Sequence, residues 1–286
     1  MSAGAGGIRS SIAQHPRPSL TRARSDRLRH SPHGRRWALT RGSALPRPPR
    51  LDCRTVSQDP AALHALYEDE HLLVLDKPAG LLSVPGRGED KQDCLSARAQ
   101  QRWPDALVVH RLDMATSGLI LMARSLAVQR MLGEAFASRQ VWKRYEAIVD
   151  GALESKHWQT IDLPLVADWP NRPLQKVDAA GKPSLTRWRT LQWLPERAGT
   201  HVLLEPQTGR SHQLRVHMAA LGHPILGDAL YGDGRVAAAA PRLLLHATVL
   251  QLRHPVTGEA LRVESPAPFA PNPQDAAEEG LRPPAP

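Results

Sequence analysis

The chain has 286 residues, of which 41% are hydrophobic and 4% aromatic, enough for one large domain or two small ones. Its formal net charge of +9 favours a nucleic-acid partner. However, residues 1–50 hold eleven arginines and one acid, Asp26, so the remaining residues have a net charge of −1. No apolar run approaches the roughly 18 residues that a transmembrane helix needs, and the N-terminus lacks the apolar centre of a secretory signal.

Residues 1–58 are predicted to be a disordered extension, because they are rich in Arg, Pro, Ser and Gly and have no sustained helical or strand periodicity. Three interpretations stay open. The extension is a basic arm that contacts nucleic-acid phosphates, a segment without function (or the product of a misassigned start codon), or an Arg-rich transit peptide. Because the rest of the chain is nearly neutral, a folded body that binds nucleic acid needs a local basic face.

The two cysteines, Cys53 and Cys94, are too far apart in sequence for a CxxC pair and have no metal-ligand spacing. We predict that both are unpaired thiols in a reducing compartment, and we expect the protein to be cytoplasmic.

The body of the chain, residues 59–269, is predicted to form one domain, followed by a flexible tail over 270–286. Strands are predicted at residues 71–75, 141–149, 185–193, 200–204 and 243–252, the second of them half-buried because its apolar residues alternate. Many strands without a regular βαβ alternation predict an α+β fold with a mostly antiparallel mixed sheet and flanking helices.

Two helices are predicted from apolar residues that recur at helical spacing. The first runs from Leu126 to Ser138, with Ser125 as its N-cap. The second begins near Ser211 and ends at Gly222, where glycine permits a left-handed stop.

The most informative stretch is His110-Arg-Leu-Asp113, which is followed by Met-Ala-Thr-Ser-Gly118 and an apolar run. Apolar, β-prone residues precede and follow the Arg-Leu-Asp triplet, and Thr116-Ser-Gly118 is a turn cluster. This order places one carboxylate on a rigid loop between two strands. Taken alone, such an aspartate is more often a structural partner of its neighbouring arginine than a catalytic group.

Four ordered blocks change that balance, because together they resemble the RluA family of pseudouridine synthases. They contain Lys77-Pro-Ala-Gly80, the stretch around Asp113, the Thr208-Gly-Arg-Ser-His-Gln-Leu-Arg-Val-His217 segment, and Arg242-Leu-Leu-Leu-His246. The blocks span about residues 67–269. Within the family, Asp162-Leu-Pro-Leu-Val-Ala-Asp-Trp-Pro-Asn-Arg-Pro173 is most similar to the dual-specificity members, which modify a 23S rRNA hairpin and the tRNA anticodon loop.

The resemblance implies the pseudouridine synthase fold, with a catalytic cleft across the sheet, and an isomerase that needs no cofactor and no metal. It implies that Asp113 is the catalytic carboxylate and that Tyr145 is the active-site tyrosine, which can stack on uracil. Arg210 is the favoured cation beside Asp113, although Arg111 is also near in sequence and the residues alone do not rank the two. Whether Asp113 acts as a nucleophile or as a base stays open.

RNA is the expected partner, as a 23S rRNA hairpin, a tRNA anticodon stem-loop or both, and the enzyme is expected to be a monomer. Four basic side chains are the predicted RNA contacts: Arg111, Lys143, Arg144 and Arg215. His212 and His217 are five residues apart and would not share a helix face as metal ligands, so we interpret both as structural or RNA-contacting.

Two rival functions stay open at this point. One is a non-catalytic RNA-binding protein on the same fold, against which the intact Asp113, Tyr145 and Arg210 argue. The other is a hydrolase that cleaves the glycosidic bond and releases the base. Retention of the base in the product RNA distinguishes an isomerase from a hydrolase.

Overall fold

The computed structural model describes residues 63–270. The predictions for the N-terminal extension, for Cys53 and for all but the first residue of the C-terminal tail lie outside the described residues. Cys94 is a buried free thiol, in agreement with its predicted state. Within the described part, no helix has both the length and the apolar character needed to cross a lipid bilayer.

Twelve strands and four α-helices make up the described part of the chain. The strands are β1 (His64–Glu68), β2 (Leu72–Lys77), β3 (Leu107–Val108), β4 (Ser117–Ala123), β5 (Trp142–Asp150), β6 (Gln159–Asp162), β7 (Leu165–Ala167), β8 (Gln175–Val177), β9 (Leu185–Leu194), β10 (Gly199–Pro206), β11 (Leu245–Arg253) and β12 (Ala260–Glu264). The helices are α1 (Leu95–Arg102), α2 (Leu126–Ala137), α3 (Gln213–Ala220) and α4 (Gly234–Ala238). All five predicted strands and both predicted helices are present.

Ten strands form one mixed sheet in the order β1-β2-β4-β11-β5-β10-β9-β6, with β3 beside β4 and β12 beside β11. Strands β4 and β11 pair in parallel, whereas the other described neighbours in this sheet pair antiparallel. The prediction of an α+β fold with a mostly antiparallel mixed sheet is confirmed. Strands β7 and β8 form a separate hairpin.

The parallel pair at the centre of the sheet positions the loop that carries Asp113. Ser117 and Gly118, just after that loop, lie opposite His246 and Ala247 of β11. Gly118 has a φ of +105°, and a Cβ there would lie 2.4 Å from the carbonyl oxygen of Ala247. Only glycine allows the two backbones to approach this closely. Tyr145 of β5 lies opposite Ala247 on its other side, so the end of the loop and Tyr145 are two strands apart.

Strand β5 is buried on both faces, which corrects the prediction of a half-buried strand. Two of its charged residues are buried and paired: Arg144 contacts Glu205 at 2.8 Å and Glu146 contacts His201 at 2.9 Å. The two edges of β5 pair with β11 and β10, and residues on both of its faces are buried. The alternation of apolar residues therefore identified the strand but not its exposure.

Local features of the chain set the start of α2 and both ends of α3. The Ser125 hydroxyl accepts a hydrogen bond from the amide of Val128 at 3.3 Å, as expected of an N-cap. Helix α3 starts two residues later than predicted, because His212 has a left-handed backbone with a φ of 55°. Gly222, with a φ of +83°, follows its C-terminal end as predicted.

Candidate active site

A cleft of about 740 Å³ opens across the middle of the sheet, between the loop before β4, the start of β5 and the segment before α3. It lies where two hydrophobic clusters meet, and Tyr145 packs against both of them. Six of the seven predicted site residues line this cleft: Arg111, Asp113, Lys143, Tyr145, Arg210 and Arg215. The fold thus brings together residues that are up to about a hundred positions apart in sequence.

The backbone on both sides of Asp113 is held by the segment that follows β2. Ser83 donates its hydroxyl to the carbonyl of Leu112 at 2.7 Å and accepts the Leu112 amide at 3.0 Å. The carbonyl of Met114 accepts the Gly80 amide at 2.8 Å and the Lys77 ammonium at 3.1 Å. The carboxylate is therefore presented by a loop that is fixed before any ligand binds, as catalytic preorganisation requires.

Lys77 is an active-site neighbour that the sequence did not single out. Its side chain is fully buried, and its ammonium also donates to the carbonyls of Pro78 at 2.8 Å and Leu81 at 2.7 Å. Burial lowers the pKa of Lys77 to about 8, and the charge of Asp113 acts in the opposite direction. The Lys-Pro-Ala-Gly block contributed to the family resemblance, but its sequence did not indicate that the lysine is buried behind the catalytic loop.

The carboxylate of Asp113 is 18% exposed and faces two nitrogen-bearing side chains. Arg215 Nη1 lies 3.7 Å from Asp113 Oδ2, and His212 Nε2 lies 3.9 Å from Oδ1. Arg215 is itself fixed by Asp228, whose two oxygens accept from its Nη2 at 2.6 Å and its Nε at 2.8 Å. Burial lowers the pKa of Arg215, but the bond to Asp228 and the charges of both aspartates outweigh it and raise that pKa. Asp113 therefore faces a permanent, oriented positive charge.

The prediction that Arg210 pairs with Asp113 is wrong. The Nε of Arg210 donates to the carbonyl of Pro183 at 3.2 Å on the exposed side of the cleft. Arg210 precedes the left-handed residue His212, whereas Arg215 follows it and lies on the inner face of α3, 4% exposed. Arg215, which was predicted to contact RNA, is nearly buried but lines the cleft, and its contact with RNA stays a prediction.

The turn before α3 is closed by the side chain of Gln213. Its oxygen accepts from the Thr208 hydroxyl at 2.6 Å and from the Arg210 amide at 3.1 Å. Its nitrogen donates to the carbonyl of Leu185 at 3.0 Å. This buried amide ties the segment to β9 and holds the turn that leads from Arg210 into α3.

Tyr145 lies in the cleft as predicted. Burial raises the pKa of its hydroxyl, and the negative charge of Asp113 raises it further, so the phenol keeps its proton at neutral pH. A neutral aromatic ring on a central strand suits stacking against a flat base, and its hydroxyl is able to exchange a proton with one.

Lys143 and Arg144 are adjacent on β5 and point to opposite faces of the sheet. Lys143 lines the cleft, with its ammonium 5.6 Å from the ring of Phe136, and burial lowers its pKa. Arg144 is 5% exposed and is paired with Glu205 on the other face. Arg144 therefore does not line the cleft, and its contact with RNA stays a prediction. Arg111 is exposed at the cleft, where a contact with RNA stays a prediction.

Comparison with known proteins identifies the family. A sequence model described as RNA pseudouridylate synthase matches residues 71–220, more than half of the chain. The dual-specificity RNA pseudouridine synthase RluA of Escherichia coli K12 is 49% identical over 205 residues, which are 71% of this chain and 93% of that protein. The chain belongs to the RNA pseudouridine synthase family. The predicted family, fold and isomerase class are thereby confirmed.

Further relatives agree with this assignment. The protein of the same name from Haemophilus influenzae is 45% identical over 208 residues, 72% of this chain and 94% of that protein. Among solved structures, human RNA pseudouridylate synthase domain containing 1 has a TM-score of 0.63 and 30% identity, over 76% of this chain and 88% of the human chain. As a pseudouridine synthase, the protein is an enzyme that modifies RNA rather than a passive binder.

Proposed function

We propose that this pseudouridine synthase isomerises specific uridines in RNA hairpins, of 23S rRNA, of the tRNA anticodon loop or of both, with Asp113 as its catalytic carboxylate. The observation that carries the proposal is the position of Asp113, which faces Arg215 and His212 in the cleft that Tyr145 also lines. We assign catalysis to a monomeric cytoplasmic domain of residues 59–269, with residues 1–58 and 270–286 outside it.

The reaction needs a carboxylate near the ribose carbon and the base, because it breaks a C–N bond and forms a C–C bond to the same base. Asp113 is held at 3.7 Å from the guanidinium of Arg215, which gives a nucleophile or base an oriented, positively charged partner. The protonated Tyr145 stacks on the uracil ring in this proposal and holds it near Asp113 while it rotates. The target uridine has to leave its stack, at a cost of a few kcal/mol that is smaller in a loop than in a helix.

RNA binding is proposed to use cations at the cleft and a stacking pair on the β7–β8 hairpin. Arg111, Arg139, Lys143 and Arg210 line the cleft, which gives the nearly neutral body a local basic face. Trp169 is 66% exposed between β7 and β8, and the guanidinium of Arg172 lies 3.4 Å from its ring centroid. An exposed aromatic beside an arginine is the arrangement on which unpaired RNA bases stack.

The test is to incubate the purified protein with an anticodon stem-loop and with a 23S rRNA hairpin, and to analyse the products. Pseudouridine at one position, with the mass of the RNA unchanged, is the expected result. Free uracil and an abasic RNA would identify a hydrolase. No change in either RNA would reject the proposed substrates.

A further inference from the structure

A chain of polar contacts links the β7–β8 hairpin to the catalytic carboxylate. The amide of Gln175, at the start of β8, donates to the hydroxyl oxygen of Tyr231 at 2.9 Å. That hydroxyl lies 2.6 Å from Nδ1 of His212, and the other ring nitrogen, Nε2, faces Asp113. Three segments that are distant in sequence therefore meet through one tyrosine and one histidine.

The positions of the protons follow from the donors available. The Gln175 amide has only a hydrogen to offer, so the Tyr231 oxygen is an acceptor in that bond. Among the described residues, the second polar atom within hydrogen-bonding distance of the Tyr231 hydroxyl is His212 Nδ1. If His212 Nδ1 carried the proton, the hydroxyl hydrogen of Tyr231 would have no acceptor in either of these two contacts. The tautomer that satisfies every group has Tyr231 donating to Nδ1 and the imidazole proton on Nε2.

The surroundings keep both groups neutral. Burial raises the pKa of Tyr231, so its hydroxyl stays protonated. Burial also lowers the pKa of His212, with Arg215 and Arg111 acting in the same direction and Asp113 and Asp228 opposing them. A neutral imidazole with its proton on Nε2 directs a hydrogen-bond donor, without adding a charge, toward one oxygen of Asp113.

The distance of 3.9 Å between His212 Nε2 and Asp113 Oδ1 is longer than a hydrogen bond. Catalytic contacts are often long in the unliganded state and shorten when substrate binds. Arg215 lies 3.7 Å from the other oxygen, so a donor at Oδ1 would fix the rotation of the carboxylate. Tyr231 is suited to hold His212 for this purpose, because Asp228 accepts its backbone amide at 3.2 Å and the same Asp228 anchors Arg215.

We propose that Tyr231 and His212 are positioning residues for Asp113, with Tyr231 fixing the His212 tautomer so that its Nε2–H orients the carboxylate. This inference rests on the proposed function of Asp113. It assigns no proton transfer to either residue. The β7–β8 hairpin contributes the backbone amide of Gln175, which donates to the Tyr231 hydroxyl.

The first test is Tyr231→Phe, which removes one hydroxyl and leaves the ring. The expected result is a fall of about tenfold in the rate of pseudouridine formation at saturating RNA, with RNA affinity changed less than twofold. The matched control is Tyr67→Phe, which likewise removes one hydroxyl from a tyrosine ring; the Tyr67 hydroxyl donates to Asp69, and Tyr67 lies on the edge strand away from the cleft. Tyr67→Phe should leave both quantities unchanged. An unchanged rate for Tyr231→Phe, or a loss of affinity alone, would overturn the proposal.

The second test reads the tautomer without relying on activity. In ¹⁵N NMR spectra, the His212 ring should show a protonated Nε2 and an unprotonated Nδ1, and Tyr231→Phe should shift this toward a mixture. A wild-type ring protonated at Nδ1 would refute the assignment, whether or not the RNA substrates are correct.

Replacement of His212 separates positioning from simple packing. His212→Gln keeps an amide donor that is able to reach Asp113, so it should retain more activity than His212→Ala by about tenfold. Equal activity of the two variants would overturn the donor role. Wild-type activity on the RNA hairpins is measured in the same series. Failure of the positioning role of Tyr231 and His212 is therefore distinguishable from failure of the proposed function.

Discussion

At the scale of single residues, Arg215 rather than Arg210 supports Asp113 because the chain turns through a left-handed residue at His212. The guanidinium of Arg215 lies between two carboxylates, at 2.6 Å from Asp228 and 3.7 Å from Asp113. Removing one member of such a buried group leaves uncompensated charges in a poorly solvated place. The two arginines should therefore respond very differently to the same substitution.

Arg215→Gln should lower the free energy of unfolding by about 3–5 kcal/mol and reduce kcat about 100-fold, because Asp228 and Asp113 lose their common partner. Arg210→Gln should leave the unfolding free energy within about 0.5 kcal/mol and act on KM for RNA, since its side chain is exposed. Denaturant unfolding and steady-state kinetics of both variants check this. A stability loss for Arg210→Gln that equals that of Arg215→Gln would contradict the assignment.

The stability of the protein should depend on pH through the buried side chain of His246. His246 is buried between the hydroxyls of Ser117 at 2.7 Å and Ser265 at 3.0 Å, and burial lowers its pKa to about 4. The unfolded chain binds a proton at this histidine near pH 6.5, whereas the folded protein does so only near pH 4. Stability is therefore lost as the pH falls through this window, by roughly 3 kcal/mol in total.

His246→Gln should remove this contribution, so the variant should lose roughly 3 kcal/mol less stability than wild type between pH 7 and pH 4. Denaturant unfolding at several pH values gives the difference. His157→Gln, at an exposed position, is the control and should follow the wild-type pH profile. Parallel profiles for His246→Gln and wild type would rule out a buried neutral His246.

At the scale of elements, the parallel contact between β4 and β11 decides where the catalytic loop ends. Gly118 and Ala247 are opposite each other there, and the glycine lies in the left-handed region. The loop, the parallel pair and Tyr145 on β5 thus form one unit, in which the spacing of two strands fixes the distance between catalytic groups. A side chain on Gly118 would separate those strands.

Gly118→Ala should destabilise the protein by about 2–4 kcal/mol, from both the positive φ and the collision with the Ala247 carbonyl. Activity should fall as well, because the end of the Asp113 loop moves with the strand. The control is Gly133→Ala on α2, where a Cβ meets no atom within 4 Å and alanine favours the helix by about 0.5–1 kcal/mol. Thermal unfolding of both variants measures the contrast, and equal effects would contradict it.

At the scale of the whole molecule, the sequence predicted the sheet and the cleft better than it predicted the contacts within them. Periodicity located β5 and α2, and the family resemblance placed Asp113 and Tyr145 together. The sequence did not predict the burial of Arg144. Glu205, the partner of Arg144, is 61 residues away, and the order of the strands in the sheet decides whether the two residues meet. The sequence also missed Lys77 as a buried cation, since only the packed fold surrounds its ammonium with three carbonyls.

Asp113→Asn tests whether the carboxylate of Asp113 performs the isomerisation. Single-turnover pseudouridine formation and RNA affinity are measured together, with Asp105→Asn, which removes a surface ion pair with Arg124, as the control. We expect Asp113→Asn to bind RNA within a few-fold of wild type and to lose at least about 1,000-fold in rate, and Asp105→Asn to match wild type. Wild-type rates of pseudouridine formation by Asp113→Asn would contradict the account.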